Sequence, residues 1–398
     1  MNEMDWITTV AVIGSGTMGR EIAQVLLLGR FPKVILHDIK QPPLDSAQAF
    51  IKKALMKLYS KGKLEKDQTP ADLLNHLFLT TDIQSAVSKA NFVIEAVPEV
   101  MKIKKDVFST IGALTPPETI LATNTSTMNI TEIASASSCP ENVIGMHFFT
   151  PIPILSLIEV IRGAHTSKET MEITAKLGMN LPCLSGKRFI ARLQKASPGF
   201  IVNRLNIVGM AYLMAMLDKA YELGYKAAHL DKDVTAIKGR APFEIADYLG
   251  LETVYNSIKY LEENLHPDIS PGKVLTSLVN EGKLGKKTGE GFYKWDGEKI
   301  DESEKAQKGA GLAQPDDLLA IHLNEGCRLL HDEIVSGYRI IDKAMMAGMR
   351  IPGPFNPGKR NYEQWSQRLR DIAKITGKDY FLPCDVMKTG KFKTMRKS

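Results

Sequence analysis

The 398-residue chain is 44% hydrophobic and 24% charged, with a formal net charge of +6; this balance excludes disordered and fibrous classes and allows about two to four domains. The basic excess suits nucleic acid or a polyanionic small molecule such as a nucleotide. No apolar run is long enough to span a bilayer, no signal peptide opens the chain, and Cys139, Cys183, Cys327 and Cys384 form no CxxC pair, so a cytoplasmic protein with reduced thiols and no metal is expected.

The first element is a short buried strand, Val10–Ile13, which runs into Gly14-Ser15-Gly16-Thr17-Met18-Gly19 and the helix-like stretch REIAQVLLLG. Gly14 permits the tight turn, Gly16 lets a pyrophosphate approach the backbone, and Gly19 allows helix and strand to pack closely. A second strand, Lys33–His37, ends in Asp38, nineteen residues after Gly19. An acidic residue there is placed to bond the adenosine ribose, which makes the unit a Rossmann-type dinucleotide-binding domain. Asp38 repels a 2′-phosphate and so favours NAD, while Lys40 nearby leaves NADP open.

From Ser46 to Lys66 the pattern predicts an amphipathic helix carrying Lys52, Lys53, Lys57, Lys61, Lys63 and Lys66. Singly these lysines read as solvated charge; as a group they suit the phosphates of an acyl carrier. A third strand is expected at Asn91–Val97, then a helix opening with PEVMKIKKDVF, then a fourth strand at Ile120–Ala122. The fourth delivers Thr123-Asn124-Thr125-Ser126 at its carboxyl end, where open parallel sheets hold ligands.

The stretch NVIGMHFFTPIPILSLIEV, Asn142 to Val160, reads as two extended segments, Val143–Phe149 and Leu155–Ile161. Pro151 and Pro153 between them forbid helix and stiffen a turn. That turn folds Glu159 back towards His147. A buried carboxylate fixes the imidazole tautomer and stabilises its charged form, as a proton-accepting base needs. The alternative is a core histidine satisfied by a backbone carbonyl. Downstream, LSGKRFIARLQKASPGF carries Lys187, Arg188, Arg192 and Lys195, either as a solvated linker or as a grip on phosphates.

After Pro198 helices take over: Asn203–Leu223, then Phe243–Leu265 beyond a break at Ala241-Pro242, closed by the glycine-rich run Leu284–Trp295. Residues 298–315 are charged and poor in apolar positions, and read as a linker. Asp317–Arg350 is helical again and echoes the first helical unit. Gly224-Tyr225 matches Gly337-Tyr338, Leu230-Asp231-Lys232 matches Ile341-Asp342-Lys343, Pro242-Phe243 matches Pro354-Phe355, and Gly282-Lys283 matches Gly390-Lys391. Four matches in order argue for a degenerate tandem repeat. The expected division is therefore a Rossmann-type α/β domain at 1–195, an all-α domain at 196–297, a linker at 298–315 and a degenerate all-α copy at 316–398.

Together, NTS at 124–126, HFFTP at 147–151, IEV at 158–160, PGFIVNRL at 198–205 and GKKTGEGFYKW at 285–295 resemble the 3-hydroxyacyl-CoA dehydrogenase family. The resemblance covers residues 7–295. It implies oxidation of an (S)-3-hydroxyacyl-CoA, of the 3-hydroxybutyryl-CoA type, by NAD. It further implies His147 as base, Glu159 as its orienting carboxylate, and Ser126 and Asn203 beside the reacting carbon. Cofactor contacts would come from the glycine loop with Ser15, Thr17 and Met18, and from Asp38, Glu99, Lys104, Asn124, Ser126, Thr150 and Lys287. Lys61 matches a residue that meets coenzyme A. Two positions depart from the family: Thr150 stands for an asparagine, and Ala54 for a serine that meets coenzyme A. Rival readings are a dehydrogenase of free hydroxy or sugar acids, and a retired enzyme kept as a structural or nucleic-acid-binding protein. The intact Ser126, His147, Glu159 and Asn203 set argues against the latter, and neither nucleic acid nor membrane is an expected partner. Residues 316–398 are expected to pack on 196–297 in the same chain, giving a monomer with an intrachain pseudo-dimer, or a homodimer through another surface.

Overall fold

The computed structural model describes residues 6–234 and 241–396. They fall into two compact units. The first holds Met1–Phe200 with two short later segments, Glu333–Ser336 and Lys343–Pro352; the second holds the remainder.

The first unit is built on an eight-stranded sheet in the order β3-β2-β1-β4-β5-β6-β7-β8. The strands are β1 (Thr9–Ile13), β2 (Lys33–His37), β3 (Leu77–Thr80), β4 (Phe92–Glu95), β5 (Ile120–Thr123), β6 (Val143–Phe148), β7 (Leu157–Arg162) and β8 (Phe189–Leu193). β1 to β6 are parallel, whereas β7 runs antiparallel to β6 and pairs in parallel with β8. Strand order reverses beside β1, the switch point of a doubly wound sheet. The central strands are wholly buried, and their side chains feed two apolar clusters. Such continuous Val/Ile/Leu runs are what a sheet covered on both faces requires.

Several elements differ from the sequence expectation, among them one helix and two edge strands. The lysine-rich helix, α2, spans Gln41–Ser60, not Ser46–Lys66. Prolines 42 and 43 sit in its first turn, where no amide is needed, and Gly62 with φ 60° follows its end. The edge strand β3 was not anticipated. Nor was β8, which lies inside the presumed linker; it alternates Ala191 and Leu193 inward with Arg192 outward, and an edge strand bearing charge looks like a loop.

The second unit is helical. Its long helix Val202–Glu222 packs against Asp317–His331 from the second copy. Gly224 and Gly337 are 113 residues apart, and on that offset Arg204 corresponds to Asp317 and Tyr212 to Glu325. The structure pairs these positions crosswise. Arg204 Nε donates to Glu325, and Tyr212 OH donates to Asp317 Oδ2 at 2.6 Å. Near the crossing, a Cβ on Gly209 would come within 2.9 Å of His322 Nε2, its counterpart on the same offset. A like contact occurs at the two Pro-Phe pairs: Asp231 Oδ1 accepts from Phe243 N at 3.1 Å, and Asp342 Oδ1 from Phe355 N at 2.9 Å. The stretch between the copies is tied down, since the Asp233 carboxylate accepts the amides of Gly311, Leu312 and Ala313. All four cysteines are free thiols, and no described helix is long and apolar enough to cross a membrane.

Candidate active site

The glycine turn follows β1 at the carboxyl edge of the sheet. Gly14 has φ 102°, and a Cβ there would lie 2.6 Å from the Ala96 carbonyl oxygen; at Gly19 one would meet Gly14 O at 1.8 Å. A Cβ on Gly16, by contrast, would meet nothing within 4 Å. Behind that open space, helix α1 (Thr17–Leu28) begins with no side-chain cap and no acidic residue in its first turn. Bare amides, the positive end of a helix dipole and room for close approach fit a pyrophosphate. Asp38, just past β2, accepts Ser15 N at 2.9 Å and Ser15 Oγ at 2.7 Å on Oδ2. Its Oδ1 keeps no hydrogen-bond partner among the described residues.

Beyond the switch point, fully buried Glu95 ends β4. Its Oε1 accepts Val97 N and Lys104 Nζ, and its Oε2 accepts Thr123 Oγ1. Lys104 also donates to Val97 O and reaches Glu99 Oε2 at 3.2 Å, so all three ammonium protons point inward. Glu99 Oε1 then accepts Thr125 Oγ1 at 2.6 Å, Ser126 N at 2.9 Å and Ser126 Oγ at 3.3 Å. The Glu99 side chain is 38% exposed; its partial desolvation opposes ionisation, but Lys104 and these donors outweigh it and hold the carboxyl below its usual range. Lys104 is therefore 1% exposed, and it would affect a bound cofactor through Glu99. The sequence reading missed Glu95; a glutamate ending an apolar strand was the available signal.

His147 on β6 lies directly opposite Glu159 on β7. Its Nδ1 is 2.8 Å from Glu159 Oε2, and both side chains are buried. A carboxylate accepts only, so Nδ1 carries the hydrogen and Nε2 is left as an acceptor. The rings of Phe149 and Phe200 lie 4.5 and 5.7 Å from the imidazole. Phe200 holds φ 54°, costly backbone for a bulky residue and typical of functional sites. Asn124 Oδ1 accepts Phe148 N at 3.0 Å and ties the end of β5 to β6. Thr150 is exposed, and its hydroxyl donates to Glu21.

The basic segment after residue 186 is resolved residue by residue. Arg188 is no phosphate grip: its guanidinium is buried and donates to the carbonyls of Leu181, Ile152, Leu155 and Pro182. Arg192 pairs with Glu172, while Lys187 and Lys195 are exposed. On α2, Lys52, Lys53 and Lys57 are exposed, as are Lys61 at its end and Lys63 and Lys66 beyond. The remaining candidates lie in the second unit. Asn203 is the second residue of helix Val202–Glu222 and is half-buried, and Lys287 pairs with Glu252.

Family models for the NAD-binding domain and the C-terminal domain of 3-hydroxyacyl-CoA dehydrogenases match residues 9–183 and 199–295. A probable 3-hydroxybutyryl-CoA dehydrogenase of Deinococcus radiodurans is 38% identical over 291 residues, covering 71% of this chain and 99% of that protein. The human mitochondrial hydroxyacyl-coenzyme A dehydrogenase is 36% identical over 301 residues, covering 72% of this chain and 90% of that protein. Among solved structures, the 3-hydroxybutyryl-CoA dehydrogenase of Escherichia coli K12 superposes with a TM-score of 0.82 at 26% identity, covering 96% of this chain and 98% of that one.

Proposed function

We propose a reaction from one premise: the chain belongs to the 3-hydroxyacyl-CoA dehydrogenase family. It is an oxidoreductase of that family, and its first domain is of the NAD-binding kind. The reaction we assign is the interconversion of (S)-3-hydroxyacyl-CoA and 3-oxoacyl-CoA, with 3-hydroxybutyryl-CoA and acetoacetyl-CoA as the pair acted on. The observation that carries this reading is the buried His147–Glu159 contact at 2.8 Å, which leaves Nε2 as a proton acceptor.

His147 takes the proton of the substrate 3-hydroxyl at Nε2, and Glu159 stabilises the imidazolium that results. NAD, when bound, supplies the hydride acceptor. The glycine turn and the α1 amides would hold its pyrophosphate, and Asp38 its adenosine ribose. Ser126, held by Glu99, would orient the reacting oxygen, and Asn203 is assigned as a further substrate contact; Asn124 and Thr150 would serve the nicotinamide. Lys61 and the exposed lysines of α2 suit the phosphates of coenzyme A, and Lys287 a further cofactor contact.

The test is NADH oxidation with acetoacetyl-CoA, with free acetoacetate and longer 3-oxoacyl-CoAs as comparators. Acetoacetyl-CoA should be the best substrate; preference for the free acid would move the enzyme to the rival class. His147→Gln should lower turnover by roughly two to four orders of magnitude and leave NADH binding unchanged. A variant that stays active, or that loses cofactor affinity instead, removes His147 from this role.

A further inference from the structure

Glu21 has no part in the scheme above, yet through it helix α1 holds the loop that follows β6. It lies two residues past Gly19 and is 8% exposed. Its Oε2 accepts the Thr150 hydroxyl at 3.0 Å and the Ile152 amide at 2.7 Å. On the other side of the same loop, Arg188 donates to Ile152 O at 3.0 Å and Leu155 O at 2.7 Å, and Leu184 N donates to Pro153 O at 2.8 Å. Residues 150–155 are thus held from two directions.

The direction of one hydrogen bond follows. A carboxylate has no hydrogen to give, so the Thr150 hydroxyl must spend its own on Glu21. What remains on Thr150 Oγ1 is lone pairs. A free hydroxyl rotates and offers either role; this one is fixed as an acceptor. Thr150 is exposed at the carboxyl edge of the sheet, three residues past His147 and across the switch point from Asp38. A dinucleotide with its ribose at Asp38 and its pyrophosphate at α1 extends its other end over β4 to β6.

We propose that Glu21 is a positioning residue for the nicotinamide carboxamide: it holds Thr150 Oγ1 as the acceptor for the carboxamide N–H. The inference rests on the NAD reading above. An asparagine at 150 would carry donor and acceptor on one rigid amide and need no such partner, whereas a threonine needs an external group to set its direction. Glu21 meets that need and also satisfies the Ile152 amide.

The test compares calorimetric dissociation constants for NAD and its 3-acetylpyridine analogue, in which a methyl replaces the carboxamide nitrogen. Wild type should favour NAD by roughly five- to tenfold, about the value of one hydrogen bond. Thr150→Val should bring that ratio down at least threefold, while leaving Glu21 on Ile152. Glu21→Met removes the acceptor at similar volume, and Glu21→Asp withdraws it by one methylene while keeping the charge. Each should lower the ratio as Thr150→Val does, and adding Thr150→Val to either should change it no further. Glu21→Gln keeps an oxygen in place and should retain the wild-type ratio within twofold. An unchanged ratio in Thr150→Val, or in Glu21→Asp should Glu21→Met not fold, overturns the proposal; so does a collapsed ratio in Glu21→Gln. A wild type that binds NAD without preferring it overturns this inference alone, and one that binds neither nucleotide overturns the NAD reading beneath it.

Discussion

The two helical copies keep the same backbone contact and differ in nearly everything attached to it. In each, an aspartate at matching position holds the amide of a phenylalanine in a Pro-Phe pair, Asp231 with Phe243 and Asp342 with Phe355. In the first copy Asp231 also accepts the Tyr293 hydroxyl, and Asp247 gathers Phe292 N, Tyr293 N and Trp295 Nε1 of the GEGFYKW turn. The second copy has no such turn and no counterpart of Asn203, since Asp316 stands at that offset. What the second copy supplies instead is an interface. Position 204 meets 325 and position 212 meets 317, the exchange of partners that a two-fold dimer shows between its subunits.

The largest expected effect comes from removing the second copy altogether. Truncation after Trp295 should uncover the face of helix Val202–Glu222 and leave Arg204, now 2% exposed, without Glu325. Light scattering should then find self-association or precipitation. A truncated protein that is monomeric, soluble and fully active would show that the two copies are independent.

Next comes the crosswise pair itself. Glu325 is fully buried and accepts Arg204, Arg328 and the Tyr380 hydroxyl. Its burial opposes ionisation, but the two arginines win and hold its pKa down. Glu325→Ala would strand buried guanidinium charge, at about 3–5 kcal/mol by chemical denaturation. A loss below about 1 kcal/mol would mean that water reaches Arg204.

These pairs also mark where the sequence stops being legible. The glycine turn, the carboxyl-end residues Asn124 and Ser126, and the His147–Glu159 apposition were readable because strand period and a proline turn fix them within a short window. Arg204 and Glu325 are 121 residues apart, and Glu21 and Thr150 are 129 apart. No local pattern announces such partners. The inward direction of Lys104 and Arg188 was hidden for the same reason: it depends on carboxylates and carbonyls that only the fold assembles. β3 and β8 escaped because short edge strands bury little and carry weak alternation.

A third measurement sets the two aspartates against each other through pH. Burial raises the Asp231 pKa to about 7 against the pull of Tyr293 and Phe243 N, and burial also raises that of Asp342. An unfolded aspartate titrates near ~3.9, so the folded state holds this proton more tightly. The stabilisation from Asp231 is complete below about pH 4 and is lost as pH rises through about 7. Wild type should therefore lose on the order of 4 kcal/mol across that window. Asp231→Asn should flatten the profile, and Asp342→Asn should flatten it less. Equal slopes in wild type and Asp231→Asn would mean that another group carries the titration.

The smallest effect tests whether the two crosswise contacts are worth the same. Tyr212 gives Asp317 one hydrogen bond at 2.6 Å. Asp317 also takes Arg368 through two bonds at 2.8 Å and the Gln314 amide at 2.8 Å. Tyr212→Phe therefore removes a donor from a carboxylate that stays satisfied and paired, and it leaves the ring in place. The cost should be about 0.5–1.5 kcal/mol, the net value of one hydrogen bond. Glu325→Ala, at the equivalent place in the other half, should cost several times more because it leaves charge behind. The positions are related by the repeat, but the chemistry at them has diverged, one half relying on an ion pair across the copies and the other on a neutral donor. If Tyr212→Phe proved as damaging as Glu325→Ala in the same denaturation experiment, the two halves of the interface would be energetically alike and that divergence would have no consequence.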